Sequence, residues 1–475
     1  MLGPVTRKRC IAPTGLPQSA QHSGAWDPLP SRIRYHQSLA VWHHREVRNL
    51  RERLARLRVD VSPLRDSRDF RLLFWAGTVF YLGGMVSYVA LPYQLYQLTG
   101  SNFAVGALGI VELVPLVVFG LYGGALADHA DRRLMLVVTG AAQVLLTVTL
   151  MANAFLTAPR IWVIYVLGAL LAAAGSLQRP SREALLPRVV RHDQITSAVA
   201  VSSLGREVSM LAGPALGGVL LQWVGVGWCF AIDVIGLTAA TLLFLALKPY
   251  PATDRSNPPS LSGIAEGLRY AIRRKDLLGT YVIDIVAMLM AMPIVLFPAL
   301  ATQIFHAPAM LGLLYSAEGV GALIATATSG WTSRVHHHGR AIVIAASAWG
   351  ASIALAGLMP SLWLVLVCLM AAGAADMVSG LFRSVIWNQT IPDSMRGRLA
   401  GIEMLSYSLG PLGGQARAGL VADRWSVRAS ITSGGILCVA GVALTASWLH
   451  GFWAYDERTD EHAVRQRRLR AERAG

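Results

Sequence analysis

Long runs of apolar residues, separated by short polar connections, fill the chain from Phe70 to Leu449. Each run is about 20 residues long, the length that an α-helix needs to cross the hydrocarbon core of a bilayer. Twelve such spans are predicted, and the widest polar gap, from Lys248 to Asp276, divides them six and six. The spans cover residues 71–96, 104–127, 134–156, 161–178, 198–221, 225–247, 278–300, 310–330, 341–358, 362–382, 400–422 and 429–449.

The pattern predicts an all-α membrane protein made of two pseudo-symmetric bundles of six helices each. Five parts are predicted: a basic cytoplasmic tail (1–69), a first bundle (70–247), a cytoplasmic linker (248–276), a second bundle (277–451) and a cytoplasmic C-terminal tail (452–475). The first tail has no apolar core of the kind found in cleavable signal peptides. Its stretch from Val47 to Val61 fits either an amphipathic helix on the membrane surface or a disordered extension.

Composition and charge agree with a membrane protein. Hydrophobic residues make up 54% of the 475 residues and charged residues only 15%, whereas soluble domains carry about 25% charged residues. The net charge of +15 would suggest nucleic acid as a partner of a soluble protein. Here 17 lysines and arginines fall in predicted connections on one side of the membrane, against three on the other. Because cytoplasmic loops are rich in these residues, both termini are predicted in the cytoplasm, and no nucleic acid partner is expected.

Sequence signals of catalysis are missing. No P-loop, HExxH or GxSxG motif occurs, and the four cysteines have no paired spacing. The run His336-His337-His338 falls in a predicted connection and is interpreted as a solvated loop rather than a metal site. We therefore expect no catalytic residues, no cofactor and no metal ion, and the protein is not predicted to be an enzyme.

An internal repeat relates the two bundles. At an offset of 206 residues, two glycines and a mid-span acid of the first bundle align with the same residue types in the second: Gly106, Glu112 and Gly124 with Gly312, Glu318 and Gly330. A looser match pairs Arg182 with Arg383, and Gly213-Pro214 with Gly410-Pro411. Parallel repeats of this kind are typical of secondary transporters, which bind substrate between the halves near the bilayer midplane.

The connection between spans 2 and 3 reads Gly124-Ala-Leu-Ala-Asp128-His-Ala-Asp131-Arg132-Arg133. Asp128, at a helix end, can pair with a cation or accept backbone hydrogen bonds from a neighbouring helix. The segment therefore predicts a conformational latch that opens when the halves rock. It resembles the signature loop of the major facilitator superfamily at Gly124, Asp128, Arg132 and Arg133, whereas His129 and Asp131 depart from that loop.

Span 5 contains Gly213-Pro214-Ala215-Leu216-Gly217-Gly218. The segment resembles the core of a superfamily motif associated with exporters and antiporters, although Ser209 replaces its upstream glycine. Close packing of helices through small residues explains Gly213, Pro214, Gly217 and Gly218 equally well.

Longer segments carry a more specific resemblance. Residues Tyr93–Arg133, Arg179–Val190 and Met395–Gly401 resemble the superfamily subgroup that contains the bacterial enterobactin exporter and its macrolide-efflux and lysophospholipid-transporter relatives. The resemblance implies a multi-pass inner (plasma) membrane exporter of an amphipathic small molecule, driven by protons. A monomer within the lipid bilayer is expected. Siderophore export is favoured. Multidrug or macrolide efflux, lysophospholipid transport and a receptor without transport remain alternatives.

Ionisable side chains inside apolar spans are functional candidates, because an unpaired charge costs at least ~2.5 kcal/mol there. The deeper carboxyl groups are candidates for proton coupling: Glu112, Asp233, Asp284, Glu318 and Asp376. Because spans 7 and 10 line the cavity in the superfamily, the resemblance favours Asp284 and Asp376; a carboxyl satisfied by a neighbouring helix is the alternative. In span 1, aromatic and amide side chains suited to a partly apolar ligand predict a substrate cavity at Tyr81, Tyr88 and Gln94.

Overall fold

The computed structural model describes residues 60–129, 131–250 and 261–474, with the side chains of 121–129, 261–265 and several positions in 393–401 and 470–474 excepted. Within these ranges the chain forms helices and short connections, without a β-strand. The predicted amphipathic stretch Val47–Val61 lies almost wholly outside the described residues and stays a prediction.

Six long helices, labelled α1 to α6, follow a short helix at Ser62–Asp66 in the N-terminal half. They are Arg68–Thr99, Asn102–His129, Arg132–Ala154, Ile161–Val189, Ile195–Trp223 and Val226–Leu245, with one 3₁₀ turn at His192–Gln194 before α5. α1 therefore begins inside the segment predicted as tail, and α4 extends well beyond its predicted span. Polar residues open two of these helices: the Ser67 side chain accepts a hydrogen bond from Phe70 N at 3.1 Å, and Asp131 accepts one from Leu134 N at 3.0 Å.

The C-terminal half begins with a linker helix at Leu261–Arg273 and continues with the long helices α7 to α12. They are Lys275–Ala291, Leu311–Ala327, His338–Leu358, Leu362–Thr390, Asp393–Arg424 and Val427–Trp448. Shorter helical turns lie at Ile294–Leu296, Phe297–Ala299, Leu300–Ile304, Pro308–Met310, Ser329–Arg334 and His450–Trp453, and a last helix spans Glu461–Ala474. The turns after α7 contain Pro293 and Pro298, which lack the N–H that a regular helix needs.

The same helix pairings occur in both halves, which belong to one unit, residues 60–475. In the N-terminal half α1 packs against α5 and α6, α4 against α2 and α3, and α3 against α6. In the C-terminal half α7 packs against α11 and α12, α10 against α8 and α9, and α9 against α12. Each pairing recurs six helices later, so the structure repeats the relation that the sequence offset indicates.

Two helix pairs join the halves: α2 packs against α11, and α5 packs against α8. These pairs are equivalent under the repeat. Glycines bring the backbones together in both, because a Cβ atom at Gly109 would lie 2.8 Å from Leu412 O, and one at Gly218 would overlap the backbone of Gly312.

Ten helical segments of the described chain are long and apolar enough to cross a membrane. α5 and α11 are not among them, because small and polar residues, such as Arg206 and Glu207 on α5, lower their mean hydropathy. Both helices pack across to the other half, so part of their surface faces protein instead of lipid.

Candidate functional site

A buried ion cluster lies in the C-terminal half, between α7, α10 and α11. Arg383 Nη1 on α10 forms an ion pair with Oδ1 of Asp284 on α7, and Arg383 Nη2 lies 3.9 Å from Oδ1 of Asp376. Ser406 Oγ on α11 donates a hydrogen bond to Asp284 Oδ2 at 2.9 Å. The side chains of Asp284 and Arg383 are each 4% exposed, whereas that of Asp376 is 43% exposed. Two of the predicted carboxyl groups therefore share one guanidinium.

The described residues of this cluster include more carboxyl groups than guanidinium groups. With both carboxyl groups ionised, Asp284, Asp376 and Arg383 leave one negative charge in excess inside the membrane. An uncompensated buried charge is costly, so this excess marks the cluster as a functional candidate. The ion pair between Asp284 and Arg383 joins α7 to α10, and Asp376 is the more accessible of the two carboxyl groups.

Arg383 directly follows the predicted span 362–382, so the hydropathy pattern predicts it among the 17 cytoplasmic cations of the connections. That assignment is wrong because α10 continues to Thr390 and carries Arg383 inside the bundle. The alignment of Arg383 with Arg182 in the repeat was the available signal, since cations of solvated loops need not recur at corresponding positions of two bundles.

The equivalent arginine of the N-terminal half has different neighbours. Arg182 on α4 donates a hydrogen bond from Nη2 to the hydroxyl of Tyr81 on α1, and its guanidinium lies 4.5 Å from the centroid of that ring. Arg182 Nη1 is buried without a hydrogen-bond partner in the described part of the chain. Asp376 lies seven residues before Arg383, and the equivalent position, seven residues before Arg182, is occupied by Gly175. Tyr81, predicted to line a substrate cavity, is therefore the hydrogen-bond partner of an arginine that forms no ion pair within the described residues.

Asp233 on α6 is a buried carboxyl group bound by a neutral partner. Its Oδ2 accepts a hydrogen bond from Ser87 Oγ on α1, and its Oδ1 is buried with no hydrogen-bond partner among the described atoms. The Asp233 carboxyl group can lie this close to α1 only because residue 83 is a glycine: a Cβ atom at Gly83 would lie 2.7 Å from Asp233 Oδ1. The contact joins α1 and α6 within one half.

The two acids related by the repeat, Glu112 on α2 and Glu318 on α8, share an aromatic neighbour. The hydroxyl of Tyr88 on α1 lies close enough to both to interact with them electrostatically. Glu318 Oε1 is buried and lacks a hydrogen-bond partner in the described residues. The Tyr88 ring packs edge-on against Tyr315 of the other half, with ring centroids 5.8 Å apart, and Tyr315 packs against Phe297 at 5.1 Å. Three predicted residues thus meet where the halves face each other.

Gln94, the third residue predicted for the substrate cavity, is 4% exposed, and its Oε1 is buried without a partner among the described atoms. It lies six residues beyond Tyr88 on α1. The structure therefore places Gln94 inside the packed helices.

Within the signature loop, the described side chains tie α3 to other helices of the same half. Asp131 caps α3 through Leu134 N. Arg132 Nη1 donates to Ala184 O on α4 at 2.8 Å, and Arg133 Nη2 donates to Leu245 O at the end of α6. Gly124 and Asp128 lie on α2, but their side chains are outside the described ones, so the latch stays a prediction.

The glycine–proline segment of α5 packs against two helices. A Cβ atom at Gly213 would overlap the Met85 side chain of α1, and one at Gly217 would lie 3.2 Å from Val86 Cα. Pro214 and Gly218 meet Gly312 on α8 of the other half. These contacts give all four residues a place in helix packing.

Asp423, near the end of α11, binds the start of α2 across the halves. Its Oδ1 accepts from Asn102 N at 2.8 Å and Asn102 Nδ2 at 3.0 Å, and its Oδ2 accepts from Ser101 Oγ and from Phe103 N at 3.0 Å. A carboxylate suits the free N–H groups at a helix start. We call this set of hydrogen bonds the Asp423 clasp. It was not predicted, because nothing in the sequence shows that residues 321 positions apart meet.

The run His336–His338 contacts the C-terminal segment. His336 Nδ1 lies 2.8 Å from Glu457 Oε1, and Gln389 Nε2 donates to Glu457 Oε2 at 2.6 Å. Burial would raise the pKa of the Glu457 carboxyl, but hydrogen bonds from His336 and Gln389 outweigh that effect and lower it from the usual 4.5. Among the described residues, no group of three or more His, Cys, Asp or Glu side chains is arranged to hold a metal ion.

A family profile described as "Transmembrane secretion effector" matches residues 59–469. The chain belongs to this family of the major facilitator superfamily. It is similar to the enterobactin exporter EntS of Citrobacter koseri, with 27% identity over 389 residues that cover 81% of this chain and 93% of the exporter. The EntS protein of Escherichia coli is 28% identical over 389 residues, with the same coverage.

Solved transporter structures share the fold of this transporter at low sequence identity. The nucleoside transporter NupG has a TM-score of 0.63 at 12% identity, covering 82% of this chain and 98% of NupG. A bacterial homologue of the human lysosomal transporter Spinster has a TM-score of 0.61 at 13% identity, covering 81% and 95%. Together with the relatives, this establishes a multi-pass inner-membrane transporter of the major facilitator superfamily, and not an enzyme.

Proposed function

We propose that the protein is a proton-driven exporter of a siderophore, with twelve membrane spans and both termini in the cytoplasm. The similarity to two enterobactin exporters supports the cargo class, an amphipathic small molecule. We include α5 and α11 among the spans because each pairs along its length with helices that are apolar enough to cross a membrane. The monomer is the proposed unit, since both halves of the repeat lie in one chain.

The observation that carries proton coupling is the sharing of Arg383 by Asp284 and Asp376. The exposed Asp376 takes up or releases the proton, while the buried ion pair holds α7 against α10. When Asp376 loses its proton, its carboxylate competes with Asp284 for the guanidinium and changes how the two helices pack. Glu112, Glu318 and Asp233 are the secondary candidates: the first two face both halves near Tyr88, and Asp233 has no cation among its described contacts.

Alternating access would use the two helix pairs that join the halves, α2 with α11 and α5 with α8. Glycine contacts such as Gly218 with Gly312 let α5 and α8 lie backbone to backbone. The Asp423 clasp holds the start of α2 on α11, at the end that the proposed topology places outside the cell. We propose that this end opens when the clasp breaks, and that the signature loop with Asp128 latches the opposite end. The Asp128→Asn variant should remain folded but transport more slowly. An unchanged transport rate would contradict the proposal that Asp128 latches this end.

The cargo would lie between the halves, where Tyr88, Tyr315 and Phe297 offer aromatic faces beside Glu112 and Glu318. Aromatic side chains can stack on the rings or apolar parts of an amphipathic ligand, and a few polar groups then fix its orientation.

Inverted membrane vesicles that contain the protein test this function directly. With an acid interior, wild-type vesicles should accumulate enterobactin, and a protonophore should abolish the accumulation. Accumulation that is the same with and without the pH gradient would contradict proton coupling. No accumulation at all would contradict enterobactin as cargo.

Deletion of the gene in its host tests the cargo class independently. Under iron limitation the deletion strain should secrete less siderophore, with unchanged susceptibility to macrolides and other drugs. The opposite pattern would favour drug efflux, and lysophospholipid movement by the purified protein in vesicles would favour lipid transport.

A further inference from the structure

A cavity of about 350 Å³ lies within the N-terminal half, apart from the Arg383 cluster. One face of α1, the last turns of α4 and the first turns of α5 enclose it, all at the end of the bundle that carries the α4–α5 connection. The proposed topology places this end in the cytoplasm. The volume falls in the range of about 300–1,000 Å³ typical of small-molecule sites.

Apolar side chains make up most of the wall, and the helix packing keeps the space open. The apolar lining of the cavity includes Leu73 and Phe74 of α1, Leu186 of α4 and Val199 of α5. Gly77 also lines it, and a Cβ atom built there meets no other atom within 4 Å. The cavity can therefore hold an apolar body as well as a polar group.

The polar part of the wall is positively charged. Arg182 and Arg206 both line the cavity, and neither forms an ion pair within the described part of the chain. Glu183 also lines it, but Arg179 Nε binds the Glu183 carboxylate at 2.9 Å. Two guanidinium groups are thus left without a carboxylate partner.

The repeat shows that this charge is specific to the N-terminal half. Arg383, the counterpart of Arg182, has two carboxylate neighbours, Asp284 and Asp376. The corresponding neighbours of Arg182 are Tyr81, which is neutral, and Gly175, which has no side chain. Arg182 Nη1 is buried without a hydrogen-bond partner, and among the described residues of this half no carboxylate lies at hydrogen-bond distance from it.

We propose that this cavity is a loading site for the cargo, and that it binds an acidic group of the amphipathic molecule at Arg182 and Arg206. The guanidinium groups suit a carboxylate or another planar anion, and the apolar wall accepts the body of the molecule. The inference rests on the proposed export function and narrows it to an amphiphile that carries negative charge.

Dansyl-labelled undecanoic acid and its methyl ester test the charge requirement, because the two probes differ mainly in one charge. Fluorescence titration of the purified full-length protein in phosphatidylcholine nanodiscs should show tighter binding of the acid. Arg206→Gln should weaken binding of the acid about tenfold and leave the ester unchanged, and Arg206→Lys should restore part of the difference. Arg191→Gln is the matched control, because Arg191 lies near the same end, exposed and paired with Asp193 outside the cavity.

The location is tested by filling the cavity. Gly77→Leu should abolish binding of both probes without unfolding the protein, because its side chain enters open space. Gly330→Leu, which also enters open space but lies in the other half, should bind both probes normally. Equal binding of acid and ester, or full binding by Arg206→Gln or Gly77→Leu, would overturn the proposal.

Two further measurements distinguish binding of cargo from binding of lipid headgroups, and test the loading site independently of transport. Adding phosphatidylglycerol to the nanodiscs should not displace the acid; displacement would assign the site to lipid headgroups and overturn its role in cargo loading. Charge-selective binding in a protein that transports nothing in vesicles would refute the proposed function alone, whereas transport with unselective binding would refute the loading site alone.

Discussion

Two arginines that occupy equivalent places in the repeat have opposite electrostatic surroundings. Arg383 in the C-terminal half lies between Asp284 and Asp376, and the cluster is held further by Ser406. Arg182 in the N-terminal half contacts Tyr81 and has no carboxylate at hydrogen-bond distance among the described residues. The helix pairings around both arginines are the same, so the difference comes from side chains and not from the fold.

The comparison shows how one helical scaffold can host two kinds of chemistry. Where acids surround the arginine, the carboxyl groups outnumber the guanidinium group, which suits the proton exchange that we propose. Where the acids are missing, the site has a surplus positive charge and suits an anion. We infer that duplication supplied the scaffold and that divergence of a few polar residues separated coupling from recognition.

The largest expected effect is on stability, from removing the arginine of the acidic site. Arg383→Gln leaves Asp284 and Asp376 without a cation, and breaking a buried ion pair in this way costs about 3–5 kcal/mol. We expect a strongly lowered Tm in detergent, whereas Arg182→Gln should cost far less. Asp284→Asn added to Arg383→Gln should restore part of the loss, and equal losses in the two single variants would contradict the comparison.

A second prediction makes the N-terminal site resemble the C-terminal one. Gly175→Asp places a carboxylate seven residues before Arg182, and a Cβ atom at 175 meets no other atom within 4 Å. The new carboxylate should compete for the guanidinium and weaken binding of dansyl-labelled undecanoic acid about tenfold, with little change in Tm. Gly330→Asp is the control, and unchanged binding in Gly175→Asp would show that Arg182 does not hold the anion.

The smallest effect concerns the hydroxyl group that supports the acidic site. Ser406→Ala removes the 2.9 Å hydrogen bond to Asp284, which should cost about 1–2 kcal/mol because Arg383 still holds the carboxylate. The matched control is Ser408→Ala, whose hydroxyl bonds only to Met404 O of its own helix in the described structure. If both variants have the same Tm in thermal unfolding, Ser406 does not stabilise the cluster.

Much of the fold was predictable because hydropathy reports directly on what faces lipid. A long helix lies over each predicted span, except that α7 ends at Ala291 and shorter turns form the rest of the span predicted at 278–300. The offset between Glu112 and Glu318 indicated the duplicated architecture that the helix pairings repeat. Span ends were predicted less well. α4 and α10 extend past their apolar runs, because arginines such as the half-buried Arg182 and the buried Arg383 lower the hydropathy of residues that remain helical.

The candidate site was predictable in its members but not in their partners. Asp284 and Asp376 stand out as acids in apolar spans, yet the sequence does not show that one arginine binds both. The Asp423 clasp was missed for the same reason, since an acid near a helix end is common and its partner at Asn102 lies in the other half. Which polar groups meet depends on how helices far apart in sequence pack together.

Gradient-driven transport by Asp284→Asn and Asp376→Asn tests the central claim, that the Arg383 cluster couples protons to export. In inverted vesicles with an acid interior, wild-type protein and the surface control Asp193→Asn should accumulate enterobactin. Both cluster variants should lose that accumulation but still exchange enterobactin across the membrane without a gradient. Gradient-driven accumulation at the wild-type level in both cluster variants would contradict the account.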